Sequence, residues 1–161
     1  MSERPLFWGQ EMGGPALPWE WAEERLAKAD VYWLTTVSRA LVPRSRPVWG
    51  VWVDDRLVLS VGSNTHGYNI RVNPAASAHL SSGLEVVIIE GTAAFENDAA
   101  VLERMVEPYN AKYRWNFTPN TTGPVITLTP TVVLAWLTHS IDESAPASGF
   151  PTGSGRWTFP R

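Results

Sequence analysis

At 161 residues the chain fits one domain, large enough to bury a core without covalent staples. A net charge of −3 gives no basic footprint for nucleic acid, and the lack of cysteine excludes disulfides, thiolate metal sites and thiol nucleophiles. The opening MSERPLFWGQEMGGP lacks the apolar core of a signal peptide, and no apolar run reaches membrane-spanning length. A cytoplasmic protein without a membrane partner is therefore expected.

Residues 1–17 read as a loosely ordered arm. Pro18 followed by WEWAEERLAKAD predicts a first helix, with proline suited to its first turn and Glu20, Glu23 and Glu24 at its positive end. VYWLTTV (31–37) is rich in β-branched and aromatic residues and predicts a strand. VPRSRPVWGVWV (42–53) predicts a long second strand, and Asp54-Asp55 a hairpin turn into RLVLSVG (56–62). Pro43 and Pro47 cannot donate to a ladder, so that second strand should lie at an edge or be bulged.

The polar stretch SNTHGYNIRVNP (63–74) interrupts the strands. ASAHLS (76–81) and LEVVIIEGTAAFE (84–96) resume them, with Gly91 marking a bulge or a close backbone approach. Asn97 or Asp98 should cap a second long helix, whose apolar stripe is Val101, Leu102, Met105, Val106 and Tyr109. Pro108 should kink that helix or divide it. PVITLTP (124–130) and TVVLAWLTH (131–139) read as two further strands, 142–155 as a mobile connection, and the closing RWTFPR as a docked tail. No period of solenoid length repeats. Six or seven strands in hairpin order with two or three helices point to an α+β protein built on an antiparallel barrel or sheet.

Conventional catalytic signatures are missing. There is no G-x-S-x-G elbow, and Gly153-Ser154-Gly155 falls in the expected mobile connection. His66, His79 and His139 show no H-x-H or H-x-x-x-H spacing, so no metal site is expected. Neither a Walker loop nor G-x-G-x-x-G is present. What remains is arginine and small polar residues at strand ends. Arg44, Arg46, Val48, Gly50 and Trp52 alternate onto one face of the second strand. Ser60 and Gly62 close the third strand, and His66, Asn69 and Arg71 follow in the polar stretch. Arginine forks suit phosphate or carboxylate, and a glycine leaves backbone open to a flat ring.

RPVWGVWVDDRLVLSVG, then a short polar helix ending N-x-x-x-N-P (Asn69 to Pro74), then EVVIIEGTA, resembles the flavin and deazaflavin oxidoreductase superfamily, the pyridoxamine 5′-phosphate oxidase-like split β-barrels. YNAKYRW (109–115) and the terminal RWTF (156–159) are similar to small members of that group, and the likeness runs from about residue 20 to residue 159. The resemblance implies one split-barrel domain, paired as a homodimer with cofactor sites at the subunit interface. It implies coenzyme F-420 or FMN as cofactor, and hydride transfer to a small, largely apolar acceptor. By position, Arg46, Pro47, Val48 and Trp49 would run beside the ring, with Ser60, Val61 and Gly62 on the neighbouring strand. The 63–74 segment would hold the phosphate; such proteins commonly carry Lys or Arg there, followed three residues later by Asn. Here Asn69 matches and His66 takes the basic position, with Arg71 or Arg44 as substitute cations. Trp49, Trp52 and Trp136 are candidate walls of a substrate pocket, and His66 and Tyr109 candidate proton donors. The alternatives are a non-enzymatic carrier or cofactor-less relative, and a haem-binding barrel touching its ligand through His66 or His139.

Overall fold

The computed structural model describes residues 6–7, 10–11, 14–62, 64–119, 123–138 and 152–160. Leu6–Phe7 (β1) and Gln10–Glu11 (β2) form a small antiparallel ladder. Helix α1 (Trp19–Lys28) begins after an extended Pro18, with Glu20 in its first turn and Arg25 and Lys28 in its last, as the helix dipole favours. Then follow β3 (Tyr32–Val37), β4 (Pro43–Val53), β5 (Arg56–Ser60), α2 (Asn64–Val72), β6 (Ala75–His79), β7 (Glu85–Phe95), α3 (Ala99–Tyr113), β8 (Val125–Leu137) and β9 (Gly153–Thr158). The main sheet runs β5-β4-β3-β6-β7-β8-β9, and β5 also pairs with β8. Six antiparallel strands thus close a barrel, with β9 added outside it and three helices around it: an α+β split barrel.

Strand β4 serves two neighbours. Pro43–Val48 pair with β3, and Trp49–Val53 pair with β5. Both prolines fall in the first half, which has no ladder on its other side among the described residues, so their missing donors leave no bond unmade. Gly50 lets β5 come close, because a Cβ there would stand 2.5 Å from the Val58 carbonyl oxygen. Asp54 and Asp55 turn the hairpin with φ of 51° and 57°, the two positive values of a type I′ turn.

Between Glu90 and Gly91 of β7 the ladder skips Thr131, the extra residue of a bulge in β8 directly after Pro130. A Cβ on Gly91 would lie 2.0 Å from the Thr129 oxygen, so the backbones meet where only glycine fits. This bulge absorbs Pro130, which corrects the expectation of two strands: residues 125–137 are one strand. Of the two outcomes expected at Pro108, division does not occur: α3 continues through it. Val101, Met105 and Tyr109 pin it on both sides of the proline against Val51, Val58, Phe117 and Val125, and Asp98 caps it by accepting from the Ala100 amide at 2.9 Å.

The larger core fills the barrel with Tyr32, Leu34, Leu57, Leu59, Ile89, Ile126 and Leu128. Residues 153–155, expected in a mobile connection, are strand instead. Gly153, Ser154 and Gly155 are buried, the Leu17 amide donates to Ser154 O at 2.9 Å, and the Ser154 amide donates to Pro15 O at 3.1 Å. The end of the expected N-terminal arm, with Leu17 buried, is the surface they dock on. Trp19 gathers Trp157, Phe159 and Trp52 around it at ring-centroid distances of 5.3, 5.4 and 6.0 Å. Residues 142–151 and His139 lie outside the described residues.

Candidate functional site

Where β4 passes from β3 to β5, the divergence of the two ladders leaves a cleft of about 470 Å³. Arg46, Pro47, Val48 and Trp49 line it from β4, Ser60, Val61 and Gly62 from the end of β5, and His66 from α2. Tyr109, Trp115 and Gly123 complete it from the far side. Three residues expected at the site lie elsewhere. Arg44 is exposed on β4 and does not line the cleft. Asn69 is buried and donates from Nδ2 to Thr36 Oγ1 at 3.0 Å. Arg71 lays its guanidinium 4.5 Å from the Phe95 ring centroid. The same ring packs on Gly67, where a Cβ would meet Phe95 Cζ at 3.1 Å. That seat of α2 on β7 turns Arg71 away from the cleft.

His66 is 1% exposed, with Nδ1 2.9 Å from Thr36 Oγ1 and Nε2 without a partner among the described residues. Burial first, and the charge of Arg46 second, hold its pKa below the ordinary 6.5. His66 is therefore a neutral imidazole near neutral pH, and the standing positive charge of the cleft is Arg46. No described carboxylate forms a salt bridge with Arg46. Burial raises the Tyr109 phenol, partly offset by its hydrogen bond to Ser60.

An aromatic wall closes one side. Trp49 stacks on Tyr113 at 4.7 Å and 7°, with Trp115 edge-on to Trp49 at 6.3 Å. The Tyr113 hydroxyl donates to Gly50 O and accepts from Gly50 N, both at 2.9 Å. Its pKa is pushed up to about 12, chiefly by burial, so it stays a protonated clamp. Lys112 donates to Ala29 O at 3.1 Å, Tyr32 Oη at 3.2 Å and Gly50 O at 3.3 Å, and burial lowers its pKa. Trp52 joins the Trp19 cluster instead, and Trp136 faces Ser154 of β9. Sequence reasoning passed over Thr36 and Trp115. The signal for the aromatic wall was the helical spacing of Tyr109 and Tyr113, which puts both rings on one face, 4.7 Å apart.

A sequence profile described as pyridoxamine 5′-phosphate oxidase matches residues 19–137. The chain belongs to that family. A comparison with curated proteins gives no match. Among solved structures, the conserved hypothetical protein Rv2991 from Mycobacterium tuberculosis superposes with a TM-score of 0.69 at 16% identity, over 84% of this chain and 96% of that one. An F-420 reductase superposes with a TM-score of 0.54 at 20% identity, over 69% and 94%. A heme binding protein from Mycobacterium smegmatis superposes with a TM-score of 0.57 at 22% identity, over 74% of this chain and 55% of that one. At these identities the likeness is one of fold.

Proposed function

We propose that the chain is a homodimeric oxidoreductase that binds F-420 or FMN in the β4–β5–α2 cleft and serves a small, largely apolar acceptor. The observation that carries this reading is the meeting, at one cleft, of a flat aromatic wall with an arginine that forms no salt bridge among the described residues. A tricyclic ring needs apolar walls and backbone at close range; Pro47, Val48 and Trp49 offer the first, and Gly62, where a Cβ would meet nothing within 4 Å, the second. A phosphate needs charge and donors, which Arg46, the buried Nε2 of His66 and the N-terminal end of α2 can offer. The residues present therefore fit such a cofactor.

When bound, either cofactor supplies two-electron hydride chemistry that no side chain here provides. The chain's part is to orient and to exclude water. Trp49 stacks on Tyr113, itself hydrogen-bonded to Gly50, so the wall is positioned before any ligand arrives. Pro43 and Pro47 leave the open half of β4 poor in N–H donors, so charge gathered on a reduced ring falls to Arg46. F-420 is the favoured cofactor: Arg44 and Arg46 are exposed on the same strand, an exit suited to its oligoglutamate tail. An F-420 reductase among the similar folds agrees with that choice.

The partner is a second copy of the chain. Trp33, His79, Ile88 and Leu134 stand in direct cross-strand register on the outer face, and Trp33 remains 37% exposed.

Titrating purified protein with each cofactor while following tryptophan fluorescence tests the reading, since Trp49 and Trp115 line the cleft. Quenching by F-420 or FMN is expected; none from either at tens of micromolar overturns it. A haem reading rests on the unpartnered Nε2 of His66. Haem added to the protein would then give a visible band that disappears in His66→Ala; a band that persists without His66 rules that imidazole out as ligand.

A further inference from the structure

Three side chains from two elements form one buried polar chain beneath the cleft. Asn69 Nδ2 donates to Thr36 Oγ1 at 3.0 Å, and Thr36 Oγ1 meets His66 Nδ1 at 2.9 Å. All three residues are at most 2% exposed. A threonine hydroxyl owns one proton and accepts through its lone pairs. With the Asn69 amide already donating to it, Thr36 satisfies its own proton by donating to His66 Nδ1, since no other hydrogen bond is made by that hydroxyl among the described residues. Nδ1 is then an acceptor, and the ring proton of the neutral imidazole sits on Nε2. Of the polar atoms of these three side chains, His66 Nε2 is buried with no protein partner among the described residues, and its residue lines the cleft.

We propose that His66 is a neutral hydrogen-bond donor through Nε2–H toward an oxyanion of the bound ligand, with Thr36 and Asn69 as positioning residues that fix this tautomer. The oxyanion is a phosphate oxygen of the cofactor tail, and this part of the inference rests on the oxidoreductase reading above. A histidine in that state replaces a lysine without replacing its charge. It recognises the anion by direction, while Arg46 supplies the attraction. Asn69, which does not line the cleft, acts through Thr36 and not on the ligand.

The tautomer is readable with no ligand, by long-range ¹H–¹⁵N correlation of the histidine rings in the labelled full-length protein. The expected pattern has Nδ1 as the bare nitrogen and Nε2 protonated. The reverse pattern, which requires the Asn69 amide to turn its oxygen to Thr36, overturns the proposal. Inorganic phosphate should then shift the Nε2–H resonance. Thr36→Val should mix the tautomers and weaken phosphate about tenfold, the size of one charge-assisted hydrogen bond, and Thr36→Ser should restore both. An unaltered tautomer and affinity in a folded Thr36→Val protein also overturns it. Should Thr36→Val not fold, Asn69→Ala reads the same coupling. If the tautomer and the phosphate response appear as expected but neither FMN nor F-420 binds, the oxidoreductase reading falls and the His66 assignment stands.

Discussion

Arg46 acts twice in the cleft, as the charge an anion meets and as a cation that discourages protonation of His66. Arg46→Met should weaken F-420 or FMN binding at least about tenfold, measured by fluorescence titration. It should also move the His66 titration upward yet leave it below 6.5, because burial is the larger cause. His66 has a stability signature of its own. The unfolded chain takes up its proton near 6.5, the folded chain only at lower pH. The stability that neutral His66 brings is thus complete above 6.5, and it is lost as the pH falls toward the folded value. Urea midpoints from about pH 7.5 to about pH 5.5 should therefore fall more steeply in the wild type than in His66→Gln; equal slopes would assign the loss to other groups. The position of Asn69 was legible in the sequence, but its task was not. Thr36, which it holds, lies 33 residues earlier on another strand, and nothing local links the two.

At the scale of elements, local chemistry gave reliable signals wherever the reason was itself local. Two prolines marked the half of β4 with a free side, Gly91 marked the bulge, and Asp54-Asp55 marked the hairpin. Replacing Asp55 with glycine should stabilise the fold by about 0.5 kcal/mol, as the positive φ of 57° carries no strain without a Cβ. Gly91→Ala should destabilise it by about 3 kcal/mol, because the methyl has no room before the Thr129 oxygen; chemical denaturation reads both. Pro108 does not divide its helix and Pro130 does not end its strand, for one shared reason. Each looks like a breaker in its own strand or helix, yet its surroundings accommodate it: a hydrophobic bed beneath α3, and the bulge of β8 opposite Gly91. Such compensation lies in pairing, which a linear reading of propensity does not contain.

For the whole molecule, the order of strands and helices carried the barrel, and the resemblance carried its closure. The docking of the closing RWTFPR was legible in its aromatics, but that of Gly153-Ser154-Gly155 onto residues 15–17 was not, because those three have the composition of a linker and become strand only against their neighbours. If two chains pair through the outer face, Ile88→Asp should yield a monomer by light scattering, with the barrel's circular dichroism unchanged. A dimer persisting in that variant would move the interface elsewhere. The row Trp33–His79–Ile88–Leu134 runs across four strands, so one charge at its centre disturbs the whole face.

Because β4 gives its first half to β3 and its second half to β5, most of its cleft-lining residues, Arg46 to Val48, stand clear of the ladder to β5. Side-chain changes at Arg46 to Val48 reshape the rim of the cleft without altering the pairing of Trp49–Val53 with β5. Variants of this chain can therefore drift from one ligand to another while the scaffold stays constant, and the stretch to randomise when looking for new ligands is Arg44 to Val48.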